Sequence, residues 1–194
     1  MSKVIFSGEN PGLTLYRPGT DEVVASASYW RCVYSEHGEG NALIFWSETD
    51  GAGGPGIKGI YSDNAGVARL VTDRFTQHFG NYQNRGFDAI EPTHARFFQD
   101  SDSRWYHRVV CNTGASVIEL VWSGVLDYQM VNRSDYALGP SRWDLATVIC
   151  PCRSGHIFIS SGTPLAGDVR VNESGERPSS SAFLAFSETW VERE

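Results

Sequence analysis

Lysine is nearly missing from this chain: Lys3 and Lys58 are its only two. With a formal net charge of −7 and a pI near 5.2, the long basic patch that a phosphate backbone requires is excluded, and nucleic acid is not an expected partner. Arginines supply most of the positive charge and remain available for a small anion. Long apolar runs are missing too. No stretch approaches the ~20 residues of a spanning helix, and the apolar run after Lys3 is too short for a signal-peptide core. No basic amphipathic helix suits a membrane surface. These absences lead us to expect a soluble, cytoplasmic protein with no membrane partner. Its cysteines, Cys32, Cys111, Cys150 and Cys152, are then expected as reduced thiols.

Catalytic signatures are also lacking. There is no G-x-S-x-G elbow, no H-E-x-x-H and no closely spaced H-x-H. The sharpest local motif is CPCRSGH at 150–156. Structural zinc sites pair C-x₂₋₄-C with a second pair of ligands; here the spacing is tighter and no second pair exists. Pro151 lacks an N–H and suits a strand end. The motif therefore reads first as a strand entering a turn at Arg153–Gly155. A metal or redox site at Cys150, Cys152 and His156 ranks behind that reading. No metal and no cofactor is expected.

What is present is β structure. The 20 glycines and an aromatic content of 12% suit strands with many turns. Short runs of β-branched and aromatic residues recur between Gly, Asn, Asp, Ser and Pro, as in KVIFSG, LTLYRPG, ALIFWSE, SRWDLATVICP, GHIFISSG (155–162) and SAFLAFSETWVE (181–192). ENPG reads as a turn, and the long strand at 22–36 has small residues from Ala25 to Ser28 where it can bend. NESGERPSSS (172–181) reads as an exposed hairpin loop. The glycine-rich TDGAGGPGIKG (49–59) reads as a mobile loop over a cavity mouth. One segment differs: Val67, Leu70, Val71, Phe75, His78 and Phe79 fall at helical spacing, predicting a helix near 64–80, capped by Asp63 or Asn64 and ended by Gly80. About ten strands and one helix, with no repeat or internal boundary, predict one all-β domain over 1–194. An antiparallel β-barrel is the expected form and a β-sandwich the alternative. Strand number and length resemble lipocalin-like barrels in architecture alone. The glycine-x-tryptophan element of such barrels is absent, and SYWRC stands where it would be sought.

The clearest hairpin spans 103–124. With Thr113–Gly114 as a two-residue turn, Arg108 pairs with Glu119 on a solvent face. The opposite face then carries Trp105, His107, Val109, Cys111, Ile118, Leu120 and Trp122. Trp143 and Trp30 are expected to join this interior. A barrel of that size can enclose one small ligand. The leading expectation is therefore a small, largely apolar ligand in an aromatic-lined cavity, contacted by Trp30, Trp105, His107, Trp122 and Trp143. The alternative is a lyase or isomerase with His107 as its catalytic general base and a Tyr or Asp as acid, from Tyr128, Tyr136, Asp127, Asp135 and Asp144. The third is a protein-interaction domain that self-associates as a homo-oligomer through an edge strand or aromatic patch.

Overall fold

The fold is taken from a computed structural model, which describes residues 2–102, 105–160 and 162–193. Ser103 and Arg104, at the start of the expected hairpin segment, and Ser161, in the strand expected over 155–162, lie outside them. The chain is all-β. Its strands are β1 (Lys3–Glu9), β2 (Gly12–Tyr16), β3 (Val23–Tyr34), β4 (Gly40–Ser47), β5 (Lys58–Ser62), β6 (Thr93–His94), β7 (Arg96–Asp102), β8 (Tyr106–Asn112), β9 (Val117–Val125), β10 (Gln129–Leu138), β11 (Ser141–Ile159), β12 (Val171–Asn172), β13 (Ser179–Ser180) and β14 (Ala182–Arg193). Among the described residues one α-helix, α1 (Ala65–Arg74), follows β5. Among the described residues no helix is long and apolar enough to cross a membrane.

Twelve strands form one sheet, in the order β6-β5-β4-β3-β1-β14-β11-β9-β8-β7, with β10 on β11 and β2 between β14 and β3. The two ends of that order are neighbours in the chain. β6 pairs with β5, Ala95 donates its N–H to the Ser62 carbonyl at 2.9 Å, and β7 then pairs with β8. The strands thus follow one another in a ring. Leu13, Ala27, Tyr29 and Phe45 from one side of the ring meet Val109, Leu120, Trp122 and Ile157 from the other in one buried cluster. A second cluster lies outside the ring, where Trp30, Ile44, Trp46 and Ile60 are covered by Val67, Val71 and Phe75 of the helical segment. Much of the sheet is therefore apolar on both faces, which weakens the in-out alternation that a one-sided sheet shows.

Helix α1 begins as the sequence predicts. The Asn64 side-chain oxygen accepts from the N–H groups of Gly66 and Val67, satisfying two otherwise orphan donors. It ends earlier than expected. Phe75 leaves helical dihedrals at φ −129°, ψ −70° and drives its ring between Trp30, Trp143 and Trp190, at centroid distances of 5.3, 5.0 and 4.7 Å. The next hydroxyl, of Thr76, accepts the Trp30 indole N–H at 2.9 Å. These contacts outweigh continuation of the helix, and the chain passes through a 3-10 turn at Thr76–His78 to Phe79, which is extended, and then into further turns.

Two expected turns are not turns. β1 and β2 run end to end between β3 and β14, so ENPG is an interruption in one extended run at Asn10–Pro11. CPCRSGH lies wholly within β11, whose first part pairs with β14 and whose second part pairs with β9. The motif marks the point where the strand changes partners.

Candidate functional site

The expected hairpin forms with its faces as read and its register displaced. Observed partners are Cys111 with Ile118, Val109 with Leu120 and His107 with Trp122. The connection is longer than a two-residue turn: Thr113 and Ser116 close it, with Gly114 at φ 83°. The displacement is even, so each side chain keeps its face. Arg108 still reaches Glu119, diagonally, at 2.7 Å.

The five tryptophan and histidine positions do not converge. His107 and Trp122 point inside the ring, with ring centroids 5.6 Å apart. Trp30 and Trp143 belong to the outer cluster, on the far side of the sheet. Trp105 precedes β8 and is 70% exposed, because the strand starts one residue after it. His107 is 2% exposed. Its Nε2 accepts from the Gln99 amide at 3.2 Å, and Phe186 packs edge-on at 6.0 Å. Burial pushes its pKa down, holding the ring neutral. The space beside it is about 50 Å³, room for water and little else.

CPCRSGH assembles no centre. Cys150 and Cys152 are buried in the inner cluster, and burial pushes their thiols up to about 11 and about 12, which makes them poor nucleophiles. His156 is exposed and pairs with the Ser154 hydroxyl at 3.0 Å. Among the described residues no group of three or more His, Cys, Asp or Glu is placed to hold a metal ion.

A space larger than the one beside His107 is a cleft of about 480 Å³ on the outer surface of the ring. Its origin lies in residue size. Along β3 the outward positions carry Trp30 and Cys32 under the helical segment, and Ser26 and Ser28 beyond it. Two small hydroxyls leave a low floor that α1 is too short to cover. Gly12 continues that floor, and a Cβ there would lie 2.5 Å from the Phe183 ring. Segment 79–82 forms one wall. β10 and the first part of β11 form the other, with Arg133 and Tyr136 on β10. Loop 49–59, expected as a gate, contributes no lining residue.

At the base of the cleft is a carboxyl group. Glu188 is 4% exposed and accepts the Trp190 indole N–H on Oε1 at 2.6 Å. Its orientation depends on a bulge. Across β11 the register shifts between Ala146 and Val148, so Thr147 faces both Ser187 and Glu188. Ser187 sits at φ 51°, a left-handed conformation uncommon for residues other than glycine. Before the bulge the even-numbered residues Ala182 and Leu184 point inside the ring. After it, Glu188 and Trp190 point out into the cleft. Extra residues in a ladder re-aim side chains in this way. Asn10, buried where β1 gives way to β2, lies beside Glu188 and takes a hydrogen bond from Ser28 at 3.1 Å. Asn81 in turn donates to Thr14 at 3.0 Å, which is bonded to Ser26 at 3.0 Å. Burial raises the Glu188 pKa to about 7. Hydrogen bonds from Trp190, Thr147 and Asn10 pull the other way.

The bulge can be tested. Ser187→Val places a β-branched residue at positive φ and is expected to cost about 2 kcal/mol in urea unfolding. Ser187→Gly should stay within ~0.5 kcal/mol of the parent or exceed it. Equal losses in both variants would remove the left-handed bulge as the cause.

Of the residues expected to act as an acid, Tyr136 alone lies on the cleft. Asp144 pairs with Arg193 at 2.7 Å and Asp135 with Arg142 at 3.6 Å. Glu188 was missed by the sequence reading, although a signal exists. In AFLAFSETW, strict alternation puts Glu188 on the face of Leu184 and Phe186. A carboxylate on an apolar face signals either a bulge or a buried charge. Comparison with known proteins finds no matching family model, no matching curated protein and no matching solved structure.

Proposed function

We propose that this protein binds a small organic molecule in the outer cleft, with Glu188 as the polar anchor at its base. The reading moves the expected ligand site from the inside of the strand ring to its outside. The ring itself we read as a barrel whose interior is packed with side chains. One observation supports the assignment above others: a nearly fully buried carboxyl group, turned by a bulge into an open cleft of about 480 Å³. That volume falls in the range of small-molecule sites. The mixture is also characteristic of them, with aromatic walls (Phe79, Tyr82, Tyr136, Trp190) and few polar groups. Irregular strands supply the other support. A left-handed serine in β14 and a broken ladder at Asn10–Pro11 flank the same point, and local rules are broken most often at functional sites.

A second reading follows from the same residue. A carboxyl with its pKa raised to about 7 matches the requirement of a general base or acid at neutral pH. The proton-transfer role expected of His107 then passes to Glu188, with Tyr136 as a phenol on the cleft wall.

The test is a fragment screen read by amide NMR. Shift changes are expected to gather on the cleft walls. Ser28→Phe, which raises the floor, should weaken binding about tenfold or more while the spectrum stays folded. Shifts that gather around His107 instead, or survive Ser28→Phe, would overturn the assignment.

A further inference from the structure

We propose that the cleft takes a protonated organic amine, bound with its ammonium group against the Glu188 carboxylate and its apolar body between the aromatic walls. This rests on the cleft being a ligand site and adds the ligand's charge.

Around Glu188, β1 and its junction present Gly8 and Asn10; β11 presents Thr147; β14 presents Trp190; β10 presents Tyr136 and Arg133; segment 79–82 presents Tyr82. Of these, Arg133 alone is cationic. It is exposed and lies over the Tyr136 ring at 5.4 Å, at the outer wall. Among the described residues no charged side chain acts on the Glu188 carboxyl; its partners are an indole, a hydroxyl and an amide. A buried carboxylate without a counter-cation is costly, and the protein relieves that cost by holding the proton. An ammonium group brings the missing charge with it and releases the proton. The Tyr136 ring on the cleft wall adds the quadrupole attraction that favours cations. Arg133 sets direction. It repels an ammonium at the mouth, so the charged end of the ligand goes inward. Tyr82, whose phenol burial pushes up, remains protonated and does not compete for the cation.

A neutral ligand makes the opposite demand. A carbonyl or ether oxygen would bind the protonated carboxyl and would bind best at low pH. The two cases separate by pH. An amine gains affinity as pH rises through about 7, where Glu188 loses its proton.

The experiment uses three probes of one shape: 2-phenylethylamine, 2-phenylethanol and phenylacetate. Amide NMR titrations of the whole chain would be run at about pH 5.5 and about pH 8, with calorimetry at about pH 7, where Glu188 still holds part of its proton, in phosphate and in Tris. The amine is expected to bind about tenfold tighter than the alcohol at the higher pH. Its affinity should fall at the lower pH, and its enthalpy should differ between the buffers through proton release. Glu188→Gln should erase the preference and the buffer dependence. Equal or tighter binding of the alcohol in the cleft overturns the amine assignment and leaves the cleft a ligand site. So does tighter binding of phenylacetate, or a preference that survives Glu188→Gln. Shifts from none of the three probes, at any cleft residue, overturn both readings. Because the pH dependence and proton release are read on the unaltered protein, the outcome stands even if the variant fails to fold.

Discussion

Glu188→Gln is expected to make the protein more stable above neutral pH and to leave it unchanged near pH 4. The unfolded carboxyl titrates at its ordinary value of 4.5, and burial raises it to about 7 in the fold. Over that interval the folded state holds a proton that the unfolded state has given up. Stability contributed by this residue is therefore complete below about 4.5 and is lost as pH rises through about 7. At about 1.4 kcal/mol for each unit of displacement, the full loss is about 3 kcal/mol. Glutamine has nearly the same shape, keeps an oxygen for the Trp190 indole and never ionises. The difference in urea-unfolding free energy between variant and parent should grow from about zero at pH 4 to about 3 kcal/mol at pH 8. His107 acts in the opposite direction. Its lowered pKa removes stability as pH falls below its unfolded value, but it is common to both proteins and cancels in the difference. Parallel curves across the range would show that Glu188 is solvated in the folded protein, and the ligand assignment would fall with it.

The same residue shows where sequence reading stops. Strand positions were legible because period-two alternation is local. His107, Val109, Cys111, Ile118, Leu120 and Trp122 were placed on one face and are all buried together. The register of that hairpin was not legible, since Thr113–Ser116 closes a longer loop than the sequence suggests. Alternation survives an even displacement, so the faces were right where the pairs were not. Tryptophans mislead for a different reason. Trp30 and Trp122 are both fully buried, yet one lies outside the ring and the other inside. A sheet covered on both faces gives no polar side by which to tell them apart.

The cleft was illegible as a whole because its parts are distant in sequence. Asn10, Ser28, Arg133, Thr147 and Glu188 meet through non-local strand pairing, and Asn81 joins them from the segment that follows the helix. Single-residue signals were nonetheless present. From sequence alone, the run of small residues at 25–28 marks a place where a strand can bend. Its structural role is to leave floor space beside Trp30. The apolar spacing that predicts helix α1 continues through Phe75 and Phe79. That spacing is real, but it belongs to two structures: a helix that ends, and aromatic side chains that leave it to fill the outer cluster.

Phe75→Ala tests that outer cluster and is expected to cost about 4 kcal/mol, the range for removing a buried aromatic ring. The ring touches Trp30, Trp143 and Trp190, and Phe6 lies 6.2 Å away. Its removal leaves a cavity with rigid walls, because three of its neighbours are held by strands and cannot collapse inward. Trp190 is the partner that matters for function. Its ring lies 4.7 Å from Phe75, and its N–H holds the Glu188 carboxyl. Loosening it should weaken binding of the amine probe along with stability, although Phe75 does not line the cleft. Trp105→Ala is the control, a tryptophan that the sequence alone ranks beside the others. At 70% exposed it should change stability by less than ~0.5 kcal/mol. Urea unfolding followed by tryptophan fluorescence reads both. If Phe75→Ala is tolerated as easily as Trp105→Ala, the aromatic layer beneath the helical segment does not hold Trp190, and the base of the cleft is set by the Ser187 bulge alone.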